Sequence, residues 1–420
     1  MKRSVYTPGA GHAPRVLAGR DALLRSWRLA LAAVAAEGRV RAEDVILSGP
    51  RGVGKTVTMT AFGDSAREQG FEVVNLQAVS GQAGLVDSLM EWANTRLAHG
   101  DGPWQRARAA LERIGGLNFS FAGIGAGVTV GQRGSAGAGE PVRADAGTVA
   151  EALSTLAAEV RKDRPQGGVV VTVDEMQAAA GPDLALLAAA LHRLNVDHPA
   201  AAVMFAGTGL PHIPQVLDDA GVTHPDRLFA LEPLSLTLAH DDALYAIVEP
   251  ARQVGVLWEP AAAERVVAVT NGYPAHLQLF ADVVWAQAPG PDAIRSTDVE
   301  AALPAASDLL ERRTLTPRWD RFTPRQREFV AALAVLGGEA AMPALGHVLD
   351  RPAKDLSWLR DELIKSGDIY APAWGMLRLT VPTFAQYVLA HYDETVPRTT
   401  TPVASLATIR ARMKAASGDK

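Results

Sequence analysis

The sequence predicts an α/β fold in which a parallel sheet lies between two layers of helices, followed by a helical lid domain and a C-terminal winged helix-turn-helix. Three observations lead to this prediction. Up to Pro233, short apolar runs alternate with amphipathic helical segments, which is typical of parallel strands joined by helices on both faces. After Pro233 the strand-like runs stop and helical segments follow. Near the C-terminus, three helical segments precede two short strand-like runs, which is the order of a winged helix.

The elements of the first half can be placed from apolar runs and helix caps. Residues 1–14 are rich in Gly and Pro and are expected to be irregular, and a helix then begins with Asp21 as its cap. The predicted helices are 21–36, 55–69, one or two up to about 113, 148–162, 183–196 and a short one after Pro211. The predicted strands are 43–48, 71–76, 169–174, 202–206 and 228–231. Residues 115–139 indicate an inserted β-hairpin, with a disordered glycine-rich loop as the alternative.

The second half divides into a lid, a C-terminal module and a tail. The predicted lid helices are 236–253, 261–269, 275–288 and 297–312. A linker is expected at 316–322, then helices at 324–336, 341–349 and 355–366, and strands at 368–371 and 376–380. A short basic helix at 406–414 is expected to lie in a mobile tail. The predicted domains are an irregular N-terminus (1–14), the α/β core (15–233), the lid (234–315), the winged helix (316–395) and a flexible tail (396–420).

Composition limits the classes of protein to which the chain can belong. Its 420 residues predict two or three domains, and 48% hydrophobic with 21% charged residues is typical of a folded protein. Cysteine is absent, which excludes disulfides, thiolate metal sites and a cysteine nucleophile and fits a cytoplasmic location. The N-terminus lacks an apolar core of signal-peptide length, and no apolar stretch is long enough to span a bilayer. The net charge of −5 does not predict a globally basic nucleic-acid binder, and the Ala-, Gly-, Arg- and Pro-rich composition suggests a bacterial genome.

The segment GPRGVGKT, from Gly49 to Thr56, matches the pattern G-x-x-x-x-G-K-[ST] of a phosphate-binding loop. Gly49, Gly52 and Gly54 permit positive φ, so that successive backbone N–H groups can face one anion. Lys55 would reach the β- and γ-phosphates, and the hydroxyl of Thr56 would bind Mg²⁺. A strand precedes the loop and a helix follows it, which favours nucleotide binding over an incidental glycine turn. The predicted nucleotide-binding residues of this segment are Gly49, Pro50, Arg51, Gly52, Val53, Gly54, Lys55, Thr56 and Val57.

Two acidic residues stand at the end of the apolar run VVVTVDE. The carboxyl ends of parallel strands meet at one edge of a sheet, so both acids should face the phosphate loop. Asp174 is expected to hold Mg²⁺ through its water shell, with a helix cap as the alternative. Glu175 is expected to orient or deprotonate the water that attacks the γ-phosphate.

Two further polar residues lie beside predicted strands. Thr208, between two glycines, follows the strand 202–206 and could touch the γ-phosphate or the attacking water; a simple turn residue is the alternative. Arg227 lies just before the last strand, at the edge of the core, where it could reach the γ-phosphate of a neighbouring copy. The alternative for Arg227 is a surface salt bridge with Asp226 or another acid.

Over about residues 15–392 the sequence resembles the AAA+ P-loop ATPases of the Orc-type initiator and STAND-like group of archaea and bacteria. The resemblance rests on GPRGVGKT, on VVVTVDE and on AGRDALL at 18–24, which is similar to a box that precedes the phosphate loop in this family. It implies an AAA+ core with a helical lid and a C-terminal winged helix, and ATP and Mg²⁺ as ligands. It also implies that Arg20 lies near the adenine, that Thr208 is sensor 1 and that Arg227 is an arginine finger.

The segment NGYPAHLQLF at 271–280 looks like the lid motif of the same family. With Gly272, Pro274 would start the helix that closes over the nucleotide. Many members carry an arginine in this helix as sensor 2. Residues 273–280 contain none, and His276 is the nearest polar substitute. The sequence therefore departs from the family's standard coupling of nucleotide to lid.

The predicted recognition helix of the C-terminal module spans 355–366. Lys354, Ser357, Arg360 and Lys365 could contact DNA phosphates or bases. Acidic residues lie among them, and basic and acidic residues nearly balance across the module, which weakens the case because DNA affinity rests mainly on phosphate neutralisation. A protein-docking or autoinhibitory module is the alternative.

Three functions fit these observations. The first is an ATP-dependent switch in which ATP closes the lid, moves the winged helix and permits assembly or binding of a protein partner, and slow or partner-stimulated hydrolysis resets it. The second is an initiator-like ATPase that binds double-stranded DNA. The third is a STAND-like signalling or defence scaffold that forms a homo-oligomer, although the sequence shows no effector or repeat domain. None of the three requires a membrane.

Overall fold

The computed structural model of the chain describes residues 3–9, 11–39, 44–80, 84–99, 145–288, 292–395 and 403–418. The β-hairpin predicted at 115–139 lies outside the described residues. No helix within these ranges combines the length and apolarity needed to cross a bilayer.

A five-stranded parallel sheet forms the centre of the first unit, as the sequence predicts. Its strands are β1 Val45–Ser48, β2 Glu72–Gln77, β3 Val169–Asp174, β4 Val203–Gly209 and β5 Ala230–Pro233. The order across the sheet is β2-β3-β4-β1-β5, and every neighbouring pair is parallel. β1, β3 and β4 lie inside the sheet, and their nearly continuous burial explains why their sequences are apolar without alternation. Their carboxyl ends therefore share one edge.

Helices cover both faces of this sheet. They are α1 Asp21–Glu37, α2 Lys55–Glu68, α3 Leu85–His99, α4 Ala146–Asp163, α5 Gly181–Asp197, α6 Ile213–Asp219 and α7 Pro225–Leu228. α1 and α2 pack on one face, where the rings of Trp27 and Phe62 stack with centroids 4.6 Å apart. α3, α4 and α5 pack on the other face. The predicted cap of α1 is wrong by one residue: Asp21 is its first residue, and Arg20 precedes it without a side-chain capping bond.

The described residues of the lid form four helices and a short two-stranded parallel sheet. Its elements are α8 His240–Arg252, β6 Leu257–Trp258, α9 Pro260–Thr270, α10 Pro274–Gln287, β7 Ala293–Ile294 and α11 Ser296–Leu310. The N-terminal segment has no regular structure, as predicted, yet it is anchored here. The hydroxyl of Tyr6 donates to the carbonyl of Ile247 at 2.5 Å and accepts from the indole N–H of Trp258 at 2.8 Å.

The C-terminal unit contains helices and a three-stranded antiparallel sheet. Its elements are α12 Thr316–Asp320, α13 Pro324–Val335, β8 Glu339–Ala341, α14 Met342–Leu349, α15 Ser357–Lys365, β9 Ile369–Tyr370, β10 Met376–Leu379 and α16 Phe384–Thr395. The sheet order is β8-β10-β9. The linker predicted at 316–322 is wrong, because a short π-helix, Glu311–Leu315, leads from α11 directly into α12. Trp319 is completely buried there and packs edge-to-face on Phe384, while Pro317 stands in the first turn, where helices tolerate it.

One hydrophobic core joins the lid to the C-terminal unit. It runs without a break from Ala243 in α8 through Leu315 and Trp319 to Ile409. We call the lid and the C-terminal unit together the arm. The flexible tail predicted at 396–420 instead includes a docked helix, α17 Leu406–Gly418, whose Leu406 and Ile409 are buried. Apolar residues on one side of this helix account for the docking, since they lose contact with water against α14.

Candidate nucleotide site

The phosphate loop connects β1 to α2 at the carboxyl edge of the sheet. Gly52 and Gly54 have φ of 80° and 95°, a region that residues with a side chain rarely adopt. Gly49, in contrast, does not have positive φ, so that part of the prediction is wrong. A Cβ at Gly49 would lie 3.1 Å from Val53 and 3.2 Å from the carbonyl of Leu234. Close packing, and not backbone conformation, explains the glycine there.

Lys55 is the first residue of α2 and points back into the loop. Its Nζ donates to the carbonyls of Gly49 at 2.8 Å and Pro50 at 2.9 Å, and the residue is 5% exposed. Burial lowers the pKa of Lys55 to about 8, while Glu175 and Asp174 act in the opposite direction. A desolvated ammonium gains strongly from an anion placed beside it.

The structure brings Thr56, Asp174, Glu175 and Thr208 together. The hydroxyl of Thr56 donates to Oδ2 of Asp174 at 2.9 Å, and the hydroxyl of Thr208 donates to Oδ1. The backbone N–H of Glu175 approaches Oδ1 of Asp174 at 3.0 Å and Oγ1 of Thr208 at 3.1 Å. This arrangement follows from the pairing of β3 with β4, which places the ends of both strands side by side.

Glu175 is held in a defined position by a residue that the sequence did not indicate. Its φ of 55° is unusual for a residue with a side chain. The amide of Gln177 donates to the carboxylate of Glu175, and its oxygen accepts from the backbone N–H of Leu210 at 3.0 Å. Gln177 therefore ties Glu175 to the segment that follows β4. A polar residue two positions after the acid is the only sequence signal for this role, and it is weak.

The donor atoms at this edge suit Mg²⁺. The hydroxyl of Thr56 and the carboxylate of Asp174 already meet at hydrogen-bond distance, and both are the hard oxygen ligands that Mg²⁺ prefers. The positions predicted for a metal thus share one site.

Arg20 lies against the phosphate loop. Its guanidinium donates to the carbonyl of Val53 at 2.9 Å and to that of Gly19 at 3.0 Å. Burial lowers its pKa, and the nearby carboxylate of Asp242 in α8 opposes that shift. Arg20 therefore links the loop to the lid. Its predicted place near an adenine stays a prediction.

The lid contacts the loop through Tyr273, the residue before Pro274. Pro274 is the first residue of α10, as the resemblance implies. The hydroxyl of Tyr273 donates to the carbonyl of Arg51, and its ring packs with Val53 and Leu234 in a small separate core. Burial raises the pKa of Tyr273 to about 12, so the hydroxyl stays a donor. The aromatic residue in the lid motif is the sequence signal that could have indicated this contact with the loop.

His276 has no charge with which to replace the missing arginine of the lid. It is 2% exposed, its ring packs edge-to-face on Tyr273 at 4.6 Å, and burial lowers its pKa to about 4. Its ring nitrogens have no hydrogen-bond partner among the described residues. The imidazole is therefore neutral at physiological pH.

The two arginines Arg51 and Arg227 differ in their surroundings: Arg51 contacts the C-terminal unit, and Arg227 is exposed to solvent. Nη1 of Arg51 donates to the carbonyl of Ser366 at 2.7 Å, across 315 residues of sequence. Arg227 lies in the short helix α7 before β5 and is exposed. No salt bridge joins Arg227 to Asp226 or to any other acid in the described part of the chain. Its side chain is therefore available to a second molecule.

The sheet order, the phosphate loop and the acids of β3 are together those of an AAA+ P-loop fold. Residues 16–203 match the AAA ATPase domain, and residues 312–388 match a domain of unknown function, DUF8462. No curated protein matches the chain in sequence.

Solved structures share this fold over most of the chain. The Walker-type ATPase of Pyrococcus abyssi is similar with a TM-score of 0.56 and 16% identity, over 89% of this chain and 96% of that one. The Orc2 protein of Aeropyrum pernix, solved with ADPNP and ADP, is similar with a TM-score of 0.51 and 14% identity, over 98% of each chain. At these identities the likeness shows a shared fold.

Proposed function

We propose that this chain is an ATP-binding and ATP-hydrolysing switch in which nucleotide state sets the position of the arm. The observation that carries the proposal is the meeting of Lys55, Asp174, Glu175 and Thr208 at one edge of the sheet, beside a loop whose Gly52 and Gly54 have positive φ. This set supplies every group that phosphoryl transfer to water requires apart from a stabilising arginine.

Each side chain has a role that follows from its position. Lys55 would exchange its two carbonyl partners for the β- and γ-phosphates. Thr56 and Asp174 would hold Mg²⁺, which supplies charge neutralisation on the phosphates. Glu175, fixed by Gln177, would orient or deprotonate the attacking water. Catalysis of this kind depends mainly on positioning and electrostatic stabilisation.

The missing arginine would come from a second copy. Arg227 is exposed and free of an ion pair among the described residues, at the edge of the core, which supports its use in trans. Hydrolysis would then be slow in the monomer and faster in a homo-oligomer. A role that consumes ATP also fits the cytoplasm.

The arm is the part that would transmit the nucleotide state. Tyr273 and Ser366 both contact the phosphate loop at Arg51, so the arm and the phosphates compete for the same segment. We infer that residues 316–395 are a winged helix, with α15 as its recognition helix and β9 and β10 as its wing. The exposed Trp358 of α15 and Trp374 of the wing would then meet a protein partner.

Binding of double-stranded DNA is the second candidate. Lys354 is exposed and has no ion pair in the described ranges, which favours it. However, the C-terminal end of α15 lies against the core, since the carbonyl of Ser366, the residue after this helix, accepts from Arg51 at 2.7 Å. A winged helix in this position would have to leave the core before α15 could enter a groove. Duplex binding at low salt that depends on ATP would support this candidate, and its absence there would remove it.

The proposed function is tested by ATP binding and turnover. Lys55→Ala should lose ATP affinity in a calorimeter, because it removes the ammonium that would bind the β- and γ-phosphates. Glu175→Gln should bind ATP like the wild type and turn it over ~100-fold more slowly or worse. Unchanged turnover in Glu175→Gln would remove the assigned role of that residue.

The arginine in trans is tested by concentration. Specific activity of the wild type should rise with protein concentration, and Arg227→Ala should lose that rise. Arg25→Ala is a matched control, because Arg25 is an exposed arginine of the same unit. If Arg227→Ala and Arg25→Ala show the same dependence of activity on concentration, Arg227 has no role in trans.

A further inference from the structure

Two segments of the arm form hydrogen bonds with Arg51, at the tip of the phosphate loop. Tyr273 donates its hydroxyl to the carbonyl of Arg51, and a Cβ at Gly52 would lie only 2.5 Å from that hydroxyl. The guanidinium of Arg51 donates to the carbonyl of Ser366. Main chain and side chain of one residue in the loop thus hold two separate segments of the arm.

The segment that receives Arg51 is itself rigid. Oγ of Ser366 donates to Asp368 at 2.6 Å, and Asp368 pairs with Arg318 at 3.2 Å, with both charged side chains buried. Thr380 accepts from Arg318 at 2.8 Å and donates back to the carbonyl of Gly367 at 2.9 Å. Hydrogen bonds to Asp368 and Thr380 therefore fix the turn whose Ser366 carbonyl accepts from Arg51.

Gly367 completes the contact. Its φ is 75°, and a Cβ built on it would lie 3.0 Å from Nη1 of Arg51 and 3.1 Å from Cδ1 of Leu210. Leu210 is 1% exposed and follows β4, next to the amide that fixes Glu175. The turn of the C-terminal unit thus covers the core between the phosphate loop and the water-positioning groups.

We propose that Arg51, Ser366, Gly367 and Leu210 form a latch that holds the arm on the core until a nucleoside triphosphate takes Arg51 away. This proposal rests on the proposed function, since it names the residue through which ATP would act on the arm. The latch is closed in the structure described here.

The competition favours the nucleotide for an electrostatic reason. Ser366 offers Arg51 one neutral carbonyl, whereas a triphosphate offers several charged oxygens to which a guanidinium can bind with two N–H groups. Because Lys55 is bonded to the carbonyls of Gly49 and Pro50, the loop must also rearrange when phosphates enter. The same movement would carry Arg51 away from Ser366.

Thermodynamic linkage makes the coupling reciprocal. If ATP weakens the latch, a variant that opens the latch must bind ATP more tightly by the same factor. ATP affinity is therefore a second readout, independent of hydrolysis.

The absence of cysteine allows a single-thiol reporter. Leu210→Cys places a thiol beneath Gly367, and its reaction with a thiol reagent reports the opening of the latch. Leu217→Cys is the control, because Leu217, on α6, is equally buried in the core. We expect saturating ATP to speed labelling of the Leu210→Cys protein by ~tenfold or more and to leave Leu217→Cys unlabelled.

A bulky substitution on the arm side of the latch tests the contact without nucleotide. Gly367→Leu inserts a side chain toward Arg51 and Leu210. Gly375→Leu is its matched control in the same unit, since Gly375 has φ of 74° and nothing within 4 Å of its Cβ position. With the reporter at 210, Gly367→Leu should label fast without ATP and bind ATP more tightly, and Gly375→Leu should behave as wild type. Arg51→Ala, which deletes the donor from the core side, should also label fast.

The outcomes separate the two proposals. Absence of ATP binding in the calorimeter would overturn the proposed switch. The comparison of Gly367→Leu with Gly375→Leu, which needs no nucleotide, would still test the latch. ATP that binds without changing labelling at 210, or that slows it, overturns the latch and leaves hydrolysis intact. Equal labelling of Gly367→Leu, Arg51→Ala and Gly375→Leu without nucleotide also overturns it.

Discussion

Lys55 allows a quantitative test of the phosphate site, because burial holds its pKa at about 8 when no phosphate is near. At about pH 8.5, roughly three quarters of the Lys55 side chains would then be neutral, against about one tenth at pH 7. A triphosphate restores the charged form. Binding of ATP should therefore take up about 0.75 proton at pH 8.5 and about 0.1 at pH 7.

The same linkage fixes how affinity varies with pH. The folded-state pKa of Lys55 is lowered, so the binding-competent ammonium is present below about pH 8 and is lost above it. Between pH 7 and pH 9 the ATP association constant should fall about tenfold, or ~1.4 kcal/mol. Acid conditions should not weaken binding through this group.

Titration calorimetry in two buffers of different ionisation enthalpy measures the proton uptake directly. Lys55→Arg is the control, because a guanidinium keeps its charge throughout this pH range. Its proton uptake at pH 8.5 should be close to zero while some affinity remains. Uptake near zero in the wild type, or equal uptake in both proteins, would refute the reasoning.

Three further predictions concern Asp44, Gln177 and Tyr6. Burial raises the pKa of Asp44 to about 7, so the folded chain binds this proton more tightly than the unfolded one, and ~4 kcal/mol of stability should be lost as pH rises from about 4 to 7. In urea titrations the stability of Asp44→Asn should no longer depend on pH in this range. A pH profile of Asp44→Asn equal to that of the wild type would contradict the assignment. Gln177→Ala should lower ATP turnover by ~tenfold without changing ATP affinity, because Glu175 loses its partner; a change in affinity alone would argue against a positioning role. Tyr6→Phe should cost ~1–3 kcal/mol in thermal unfolding, since two buried partners lose their hydrogen bond; the half-exposed Tyr245→Phe should cost almost nothing, and equal losses would show that the bonds of Tyr6 are immaterial.

The parts of the fold that the sequence predicts are those with local causes. β3 is five consecutive β-branched residues before Asp174, and their full burial inside a parallel sheet leaves few alternatives. The phosphate loop is similar, because Gly52, Gly54 and Lys55 act through neighbouring backbone groups. The end of β4 also places Thr208 beside Asp174 once the strands pair.

The parts that the sequence misses depend on distant partners. The segment around Trp319 reads as a linker because two prolines and several charges surround it, yet aromatic residues far along the chain bury that indole. Gln177 gains its role only from the backbone of Leu210. Nothing near Arg51 in the sequence indicates Ser366, since the two meet only after three units have folded.

The unbroken core from α8 to α17 has a mechanical consequence. Two bodies that share one packed interior do not turn relative to each other without opening it, and packed interiors yield little. Bending is thereby confined to the two connections between arm and core, which are residues 234–239 between β5 and α8 and the stretch from Tyr6 to α1. A rotation started at Tyr273 would then move the whole arm as one body, including the exposed Trp374 between β9 and β10.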